Sequence, residues 1–341
     1  MRDDGAMKAV ILSAPGGVEN LQLTDTATPE PDAHEVRICV VAAGFNPSDY
    51  KMRQTASTVD VPVVLGGEVA GVVDAVGAEV SEFRVGDSVC AYLPLKRGGY
   101  AEAVCAHVAF VAKKPETISF TTAAAIPLAG LTAMACVGNG IVDANTPVFI
   151  AGGAGGVGGF AIEIARAAGG DPIITTAGTE SSAGYLVQTL GVSPNWIVRY
   201  DQVNDSELTT ASRSLNRGRL FPVAVDLVGR RMTKLCCDVV AFDGCATSIV
   251  QRPDTEDQER LSSKSAAFRF VSLRARAKSG DVAIWPEYKR GLTVLLDLIS
   301  GGQIRLPKIT TVGTLSAETV RSAHQLMEEK HTQGKLVMSI A

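Results

Sequence analysis

The 341-residue chain has no run of about 18 consecutive apolar residues, the length a membrane-spanning helix needs. Its opening, MRDDGAMKAVILSAPGG, carries acids where a secretory signal carries cations, and its apolar run is short. A cytoplasmic location is therefore expected. The seven cysteines, Cys39, Cys90, Cys105, Cys136, Cys236, Cys237 and Cys245, include no CxxC pair and lie mostly in apolar runs, which reads as reduced core thiols. The four histidines, His34, His107, His324 and His331, form no HxxH or HExxH pair, and none stands near a cysteine at finger-like spacing. No metal site is expected from them. Positive charge is not in excess either: a net charge of -4 disfavours nucleic acid and anionic membrane surfaces as partners and leaves a small-molecule substrate.

What the chain does have is apolar content of 46% and 34 glycines, a folded composition rich in tight turns. The length exceeds what one core usually serves, so two domains are expected. From Met7 to about Ala112 short β-runs alternate with turns: Ala9 to Leu12, Glu35 to Ala43, Val69 to Val76, Asp87 to Tyr92 and Ala101 to Cys105. After Ile118 the alanine-rich TTAAAIPLAGLTAMACV predicts a helix that Thr121 or Thr122 could cap. Strands and helices then alternate, the pattern of a doubly wound parallel sheet. Helices are expected at Ser182–Leu190, Thr233–Val240, Tyr288–Leu298 and Ala317–Glu329, with a last strand at Leu336–Ile340 that could return to the first module. Gln54–Val61 and Gln251–Ser265 read as irregular loops.

The strongest local signal is GGAGGVGG, in which Gly153, Gly155 and Gly158 spell GxGxxG between the apolar strand Val148–Ala151 and an amphipathic helix. The first glycine allows a sharp turn, the second lets backbone N–H groups approach a pyrophosphate, and the third lets helix and strand pack closely. Gly153, Ala154, Gly155, Gly156 and Val157 are the expected phosphate-binding residues of a nicotinamide dinucleotide. About 20 residues on, an acid would hold the ribose 2′-OH of NAD. The second strand instead ends in TTAGTESS, where Thr176, Gly178, Thr179 and Ser181 suit the 2′-phosphate of NADPH, with Glu180 as the opposing feature.

The ordered set GFNPSDYK, VLGGEVAGVVDAVG, FRVGDSVCAY, GGYAEAV, IPLAGLTA, AGGAGGVGG and HTQGKLV resembles the medium-chain dehydrogenase/reductase superfamily, in its quinone oxidoreductase and enoyl reductase branch. The resemblance implies an α/β protein: a GroES-like β-barrel domain over 7–120 and 295–341, and a Rossmann NADP-binding domain over 121–294. Residues 1–6 would be a disordered end or a remnant of cloning. A homodimer is the usual assembly. Where zinc-dependent relatives carry a cysteine and a GHE motif, this chain reads Gly44-Phe45-Asn46 and Gly66-Gly67-Glu68, and it has no four-cysteine structural lobe, so both zinc sites are expected to be absent. Without a Lewis acid, hydride would pass to a quinone or to the C=C of an α,β-unsaturated carbonyl compound.

Asn46, Tyr50 and Lys51 could stabilise the developing oxyanion or supply a proton, the resemblance turning NPSDYK toward the nicotinamide. The competing reading is an Asx turn with a solvated lysine. The resemblance also assigns Asn46 and Thr132 to the nicotinamide end of the cofactor, although Thr132 could equally be a buried helix threonine bonded to its own backbone. It sets Tyr200 against the 2′-phosphate, with the usual lysine replaced by Ala183 or Gly184. Two loops, Gly244–Ser248 with Cys245 and Phe270–Leu273 with Ser272, would by the same resemblance hold the carboxamide through backbone groups. The basic residues Arg269, Arg274, Arg276 and Lys278, with Arg230 and Arg231, are either a solvated face or a site for a phosphate-bearing acyl carrier. Two other functions stay open: a non-catalytic NADPH-binding protein, and a trans-acting enoyl-thioester reductase serving a carrier-bound acyl chain.

Overall fold

The computed structural model describes residues 5–55, 60–96, 98–138, 142–330 and 332–340. Contacts divide the chain into two units, one of Met1–Leu131, Leu273–Gly301 and Ile309–Ala341, the other of Thr132–Ser272 and Gly302–Lys308. In chain order the first unit opens with β1 (Ala6–Leu12), β2 (Leu21–Ala27), β3 (Glu35–Gly44), α1 (Pro47–Thr55), β4 (Val63–Val64), β5 (Glu68–Val76), β6 (Ser88–Tyr92), β7 (Ala103–His107), β8 (Val111–Lys113) and α2 (Phe120–Ala124). The helix α3 (Pro127–Val137) follows. The second unit holds β9 (Val148–Ala151), α4 (Gly156–Ala167), β10 (Ile173–Ala177), α5 (Glu180–Gln188), β11 (Ile197–Arg199), α6 (Asp205–Ser214), β12 (Phe221–Asp226), α7 (Arg231–Val239), β13 (Val240–Ser248), α8 (Thr255–Ser262) and β14 (Ala267–Phe270). The chain then completes the first unit with α9 (Leu273–Ala277), α10 (Pro286–Ser300), β15 (Ile309–Thr314), α11 (Ala317–Glu328) and β16 (Lys335–Ser339).

The first unit is the GroES-like barrel. Its large sheet runs β15-β16-β3-β5-β6-β8, with β7 also on β3, beside a smaller sheet β2-β1-β4. The central strand β3, EVRICVVAAG, is buried or half-buried along its whole length and has paired strands on both edges. The last strand does return: β16 pairs antiparallel with β3, Val337 facing Gly44. On the other edge of β3, Ala43 faces Val69 of β5. The end of β3 and the starts of β5 and β16 therefore meet at one corner. Gly44 permits it, since a Cβ there would lie 2.4 Å from Glu68 Oε1 and 2.5 Å from the Ala124 carbonyl.

The second unit is a Rossmann-like parallel sheet, β11-β10-β9-β12-β13-β14, whose neighbouring strands all pair parallel. Ligands of such sheets bind beyond the carboxyl ends of the strands.

Several details differ from expectation. Ala6 is already within β1, paired with Ala27, so the ordered chain starts before Met7. The alanine-rich stretch is two helices, because Pro127 cannot donate within a continuous one, and its cap is Ser119, whose hydroxyl accepts from the Thr122 N–H, rather than Thr121 or Thr122. NPSDYK opens the helix α1 instead of forming a loose turn. Gln251–Ser265, expected as an irregular loop, contains α8, capped by Asp254, and α6, capped by Asn204, lies in a segment for which no element was expected. The segment 273–294 partitions with the barrel, since Tyr288 of α10 lies against Phe110 and Tyr92, at ring separations of 5.0 Å and 5.9 Å.

Candidate active site

The glycine turn is held from beneath by two threonines of β10. Thr176 Oγ1 accepts from the Gly152 N–H at 3.0 Å, and Thr175 Oγ1 accepts from Gly153 at 3.1 Å while donating to the Ile150 carbonyl. Thr176 is 1% exposed, so it braces the turn rather than meeting a phosphate itself. Gly153 and Gly158 leave no room for a side chain: a Cβ would come within 2.2 Å of Thr175 Oγ1 and of the Gly152 carbonyl, respectively. Gly155 differs. A Cβ there would meet only the Gly152 carbonyl, at 3.6 Å, and otherwise open space.

Gly155 is also the N-cap of α4 and offers no side-chain acceptor, which leaves the first-turn N–H groups of Gly156, Val157 and Gly158 for a ligand. An open side above bare N–H groups is what a dinucleotide pyrophosphate fits. Ala154 and Gly155 line the same turn.

Beside it, the tip of β10 is polar and flanked by cations. A Cβ on Gly178 would lie 2.2 Å from the Tyr200 hydroxyl, so the phenol packs directly on that backbone. Thr179 caps α5 in a reciprocal box with Ser182, and Ser181 is exposed in the first turn. The Arg231 guanidinium lies 4.9 Å from the centre of the Tyr200 ring. Arg199 takes Asp201 in two hydrogen bonds, of 2.9 and 2.7 Å, and pairs with Glu180 through its remaining terminal nitrogen. The bonds from Arg199 hold the Asp201 carboxyl below the usual carboxylate range. Glu180, the feature that opposed NADPH, is thus engaged by a cation that sequence reasoning did not single out.

At the end of β12, Asp226 organises the next loop: its carboxylate accepts from Val228 and Gly229 N–H groups and from the Thr233 and Ser248 hydroxyls, all within 2.9 Å. Gly244–Ser248 is not a loop but part of β13, with Cys245 buried three residues inside the strand end. Ser272 is exposed, beyond the carboxyl end of β14, and Thr132 is buried within α3. Burial pushes the thiols of Cys90, Cys105, Cys136 and Cys237 up to about 12, which makes them inert.

In the barrel unit Asn46 is 2% exposed and sits at the corner where the strand ends meet. Lys335, 4% exposed, spends its three N–H donors on Glu68 Oε1 at 2.6 Å, Asn46 Oδ1 at 2.6 Å and the Phe45 carbonyl at 2.8 Å. Lysine only donates, so the amide oxygen of Asn46 must face it, and Asn46 Nδ2 then donates to Glu68 Oε1 at 2.8 Å. Glu68 is fully buried, and its second oxygen accepts from the Leu128 N–H. Asp49 accepts from the Asn46 N–H and from the Tyr100 hydroxyl, which in turn lies 3.4 Å from His324 Nε2.

Glu68, Lys335, Asp49, Tyr100 and His324 escaped sequence reasoning as a group. The available signal was an acid and a lysine standing in apolar runs, VLGGEVAG and GKLVMSI. Tyr50 instead packs on the barrel core, where burial, with Glu328 nearby, raises its phenol above its ordinary value. Lys51 is on the exposed side of α1. Of the three candidate catalytic residues, only Asn46 belongs to the buried network.

Three of the basic residues have partners within their own unit. Arg269 donates to the Ala135 carbonyl, Arg274 to that of Pro94, and Arg276 pairs with Glu287. Arg230 is the N-cap of α7, with a φ of 57°. His331 lies outside the described residues. Among the described residues no three His, Cys, Asp or Glu side chains form a group that could hold a metal ion, and no helix is long and apolar enough to cross a membrane.

Comparison with known proteins agrees with this geometry. Residues 32–116 match the alcohol dehydrogenase GroES-like domain, and residues 199–338 match the family described as zinc-binding dehydrogenase. A chloroplastic NADPH-dependent alkenal/one oxidoreductase of Arabidopsis thaliana is 30% identical over 349 residues, 97% of this chain and 79% of that protein. The quinone oxidoreductase of Homo sapiens is 39% identical over 186 residues, 53% of this chain and 56% of that one. The structure of the Coxiella burnetii quinone oxidoreductase superposes with a TM-score of 0.82 at 28% identity, covering 98% of this chain and all of the other. A GroES-like barrel, a glycine turn opening a Rossmann-like sheet and full-length likeness to a known reductase together identify the chain as an oxidoreductase of the medium-chain dehydrogenase/reductase superfamily.

Proposed function

We propose that the protein is a zinc-independent reductase that uses NADPH to reduce a quinone or the C=C of an α,β-unsaturated carbonyl compound. The observation that carries this reading is the buried trio of Lys335, Glu68 and Asn46. One of the matched families is described as zinc-binding, yet the positions that resemble the metal ligands of zinc-dependent members of the superfamily are Asn46 and Gly67 here, and the carboxylate of Glu68 is already neutralised by an ammonium. A buried carboxylate with its charge balanced and both oxygens bonded is a poor ligand for an added divalent ion. Acceptors that need no Lewis acid suit such a site.

Bound NADPH would supply the hydride. The N–H groups of Gly156 and Val157 would hold its pyrophosphate, and Tyr200, Thr179 and Ser181 would meet the adenosine end, with Arg231 and Arg199 supplying positive charge. Asn46, its amide oxygen turned to Lys335, keeps one N–H for the substrate or the carboxamide. Tyr50 stays protonated at neutral pH and is the candidate proton donor of α1, with Lys51 second. The names of the Arabidopsis and human relatives, alkenal/one and quinone oxidoreductase, support the same acceptor class. The bonds that Arg269, Arg274 and Arg276 make within the chain favour a free acceptor over a carrier-bound acyl substrate. A homodimer is supported by β14, an edge strand exposed along most of its length.

The test is NADPH oxidation against 1,4-naphthoquinone, a 2-alkenal, a cyclic enone and an enoyl thioester. Turnover with the first three at higher kcat/KM than the thioester is expected. Tight NADPH binding without oxidation by any of them would favour a non-catalytic binding protein.

A further inference from the structure

The chain carries, at the tip of β10, an anion of its own in the place where a phosphate is expected. Arg199 is the last residue of β11 and lies in register with Ala177, the last residue of β10, so its guanidinium stands beside the turn Gly178–Thr179. The Arg199 side chain is only 17% exposed, whereas the Glu180 carboxylate it pairs with is 87% exposed. Asp201 holds the other side of the fork through two bonds, which fixes the plane of the guanidinium without using the nitrogen that faces Glu180. Tyr200, packed on Gly178 and covered by Arg231, forms the adjoining wall. Arg231 is itself oriented by Asp205 at 2.5 Å and by the Tyr200 carbonyl.

We infer that Glu180 is an internal stand-in for the 2′-phosphate of NADPH: it occupies Arg199 in the free protein and is displaced when the phosphate binds. This rests on the NADPH reading above and names the residues that set its strength. A phosphate monoester brings up to two negative charges and three acceptor oxygens against the single charge of a carboxylate, so it wins the guanidinium. The displaced Glu180 then lies close to the phosphate and repels it. The chain consequently binds NADPH less tightly than its cations alone would allow. NADH, with no phosphate, leaves the Arg199–Glu180 pair in place.

Dissociation constants of NADPH, NADH and adenosine 2′,5′-bisphosphate, measured by fluorescence or calorimetric titration of the full chain, test this without relying on turnover. Glu180 is exposed and Arg199 is only partly buried, so Glu180→Gln and Arg199→Gln are expected to fold, and circular dichroism verifies it. Exposed charge pairs carry small energies, so Glu180→Gln should tighten NADPH and the bisphosphate by about two- to fivefold and leave NADH unchanged. Arg199→Gln should weaken both phosphate ligands by about tenfold, again sparing NADH. Unchanged or weaker NADPH binding in Glu180→Gln overturns the inference. So does a loss confined to NADH, which would make Glu180 a ligand of the ribose 2′-OH. If the unaltered chain prefers NADH, the cofactor reading fails separately, and the ratio between variant and parent still decides the role of Glu180.

Discussion

Two cations in this molecule each bridge a carboxylate and a second oxygen, and they do so under opposite conditions. Lys335 lies sealed in the barrel corner with Glu68 and Asn46, at 4% and 0% exposure for the charged pair. Arg199 lies near the surface of the Rossmann-like unit, held by Asp201 and capped by a mostly exposed Glu180. In the buried corner a partner that is lost leaves a charge out of reach of bulk solvent, so the arrangement is costly to break. At the surface water and salt can substitute, so a partner can be exchanged at little cost. The same pairing chemistry therefore fixes a side chain in one unit and admits a ligand in the other.

Breaking the buried trio should have the largest effect. Lys335→Met leaves Glu68 charged and unpaired, and should destabilise the chain by about 3–5 kcal/mol in denaturant unfolding. Adding Glu68→Gln should recover most of that loss. A single variant within about 1 kcal/mol of the parent would mean that the corner is wetter than the geometry indicates.

The contrast between sealed and open positions recurs within the glycine turn. Gly158→Ala drives a Cβ against the Gly152 carbonyl and should cost about 1–3 kcal/mol, since backbone cannot move aside as a side chain can. Gly155→Ala meets open space and should leave stability within about 0.5 kcal/mol. It should nevertheless weaken NADPH by more than about tenfold, through the methyl placed where the pyrophosphate would lie. Equal losses of stability in the two variants would remove the distinction.

His324 extends the buried side of the comparison to pH. It is fully buried beside Tyr100, Phe45 and Arg53, and burial, with the charge of Arg53 second, pushes its imidazole down to about 3. The unfolded chain takes up that proton near its ordinary value, so the stability it contributes is complete above about pH 6.5 and is lost progressively as pH falls toward 3. Between pH 7 and pH 5 the loss should be about 2 kcal/mol. His324→Gln should flatten that slope, and an unchanged slope would assign the acid sensitivity elsewhere. At the surface, by comparison, Glu180→Gln should shift stability by less than about 0.5 kcal/mol while changing affinity.

The parts of this account that were readable in the sequence are those that depend on neighbours along the chain. The apolar strand Val148–Ala151, the glycines after it and the periodic face of α4 predicted one another. Polar helices such as α6 and α8 were missed because their burial is slight, although Asn204 and Asp254 carried cap signals. The trio of Asn46, Glu68 and Lys335 was not legible, since only the pairing of β3 with β5 and β16 brings the three together. Arg199 and Glu180 likewise meet only through the parallel register of β10 and β11. Sequence showed NPSDYK as a set of reactive groups; tertiary structure separates Asn46, held in the interior, from Lys51, left at the surface.

The central claim is hydride transfer from NADPH without zinc. Its most direct test is the rate of NADPH oxidation by an enone or quinone acceptor, measured on one preparation before and after dialysis against a strong chelator, with metal content determined in both. Full activity in metal-free protein, unchanged when zinc is added, is the predicted result. Activity that disappears on chelation and returns with zinc would contradict it.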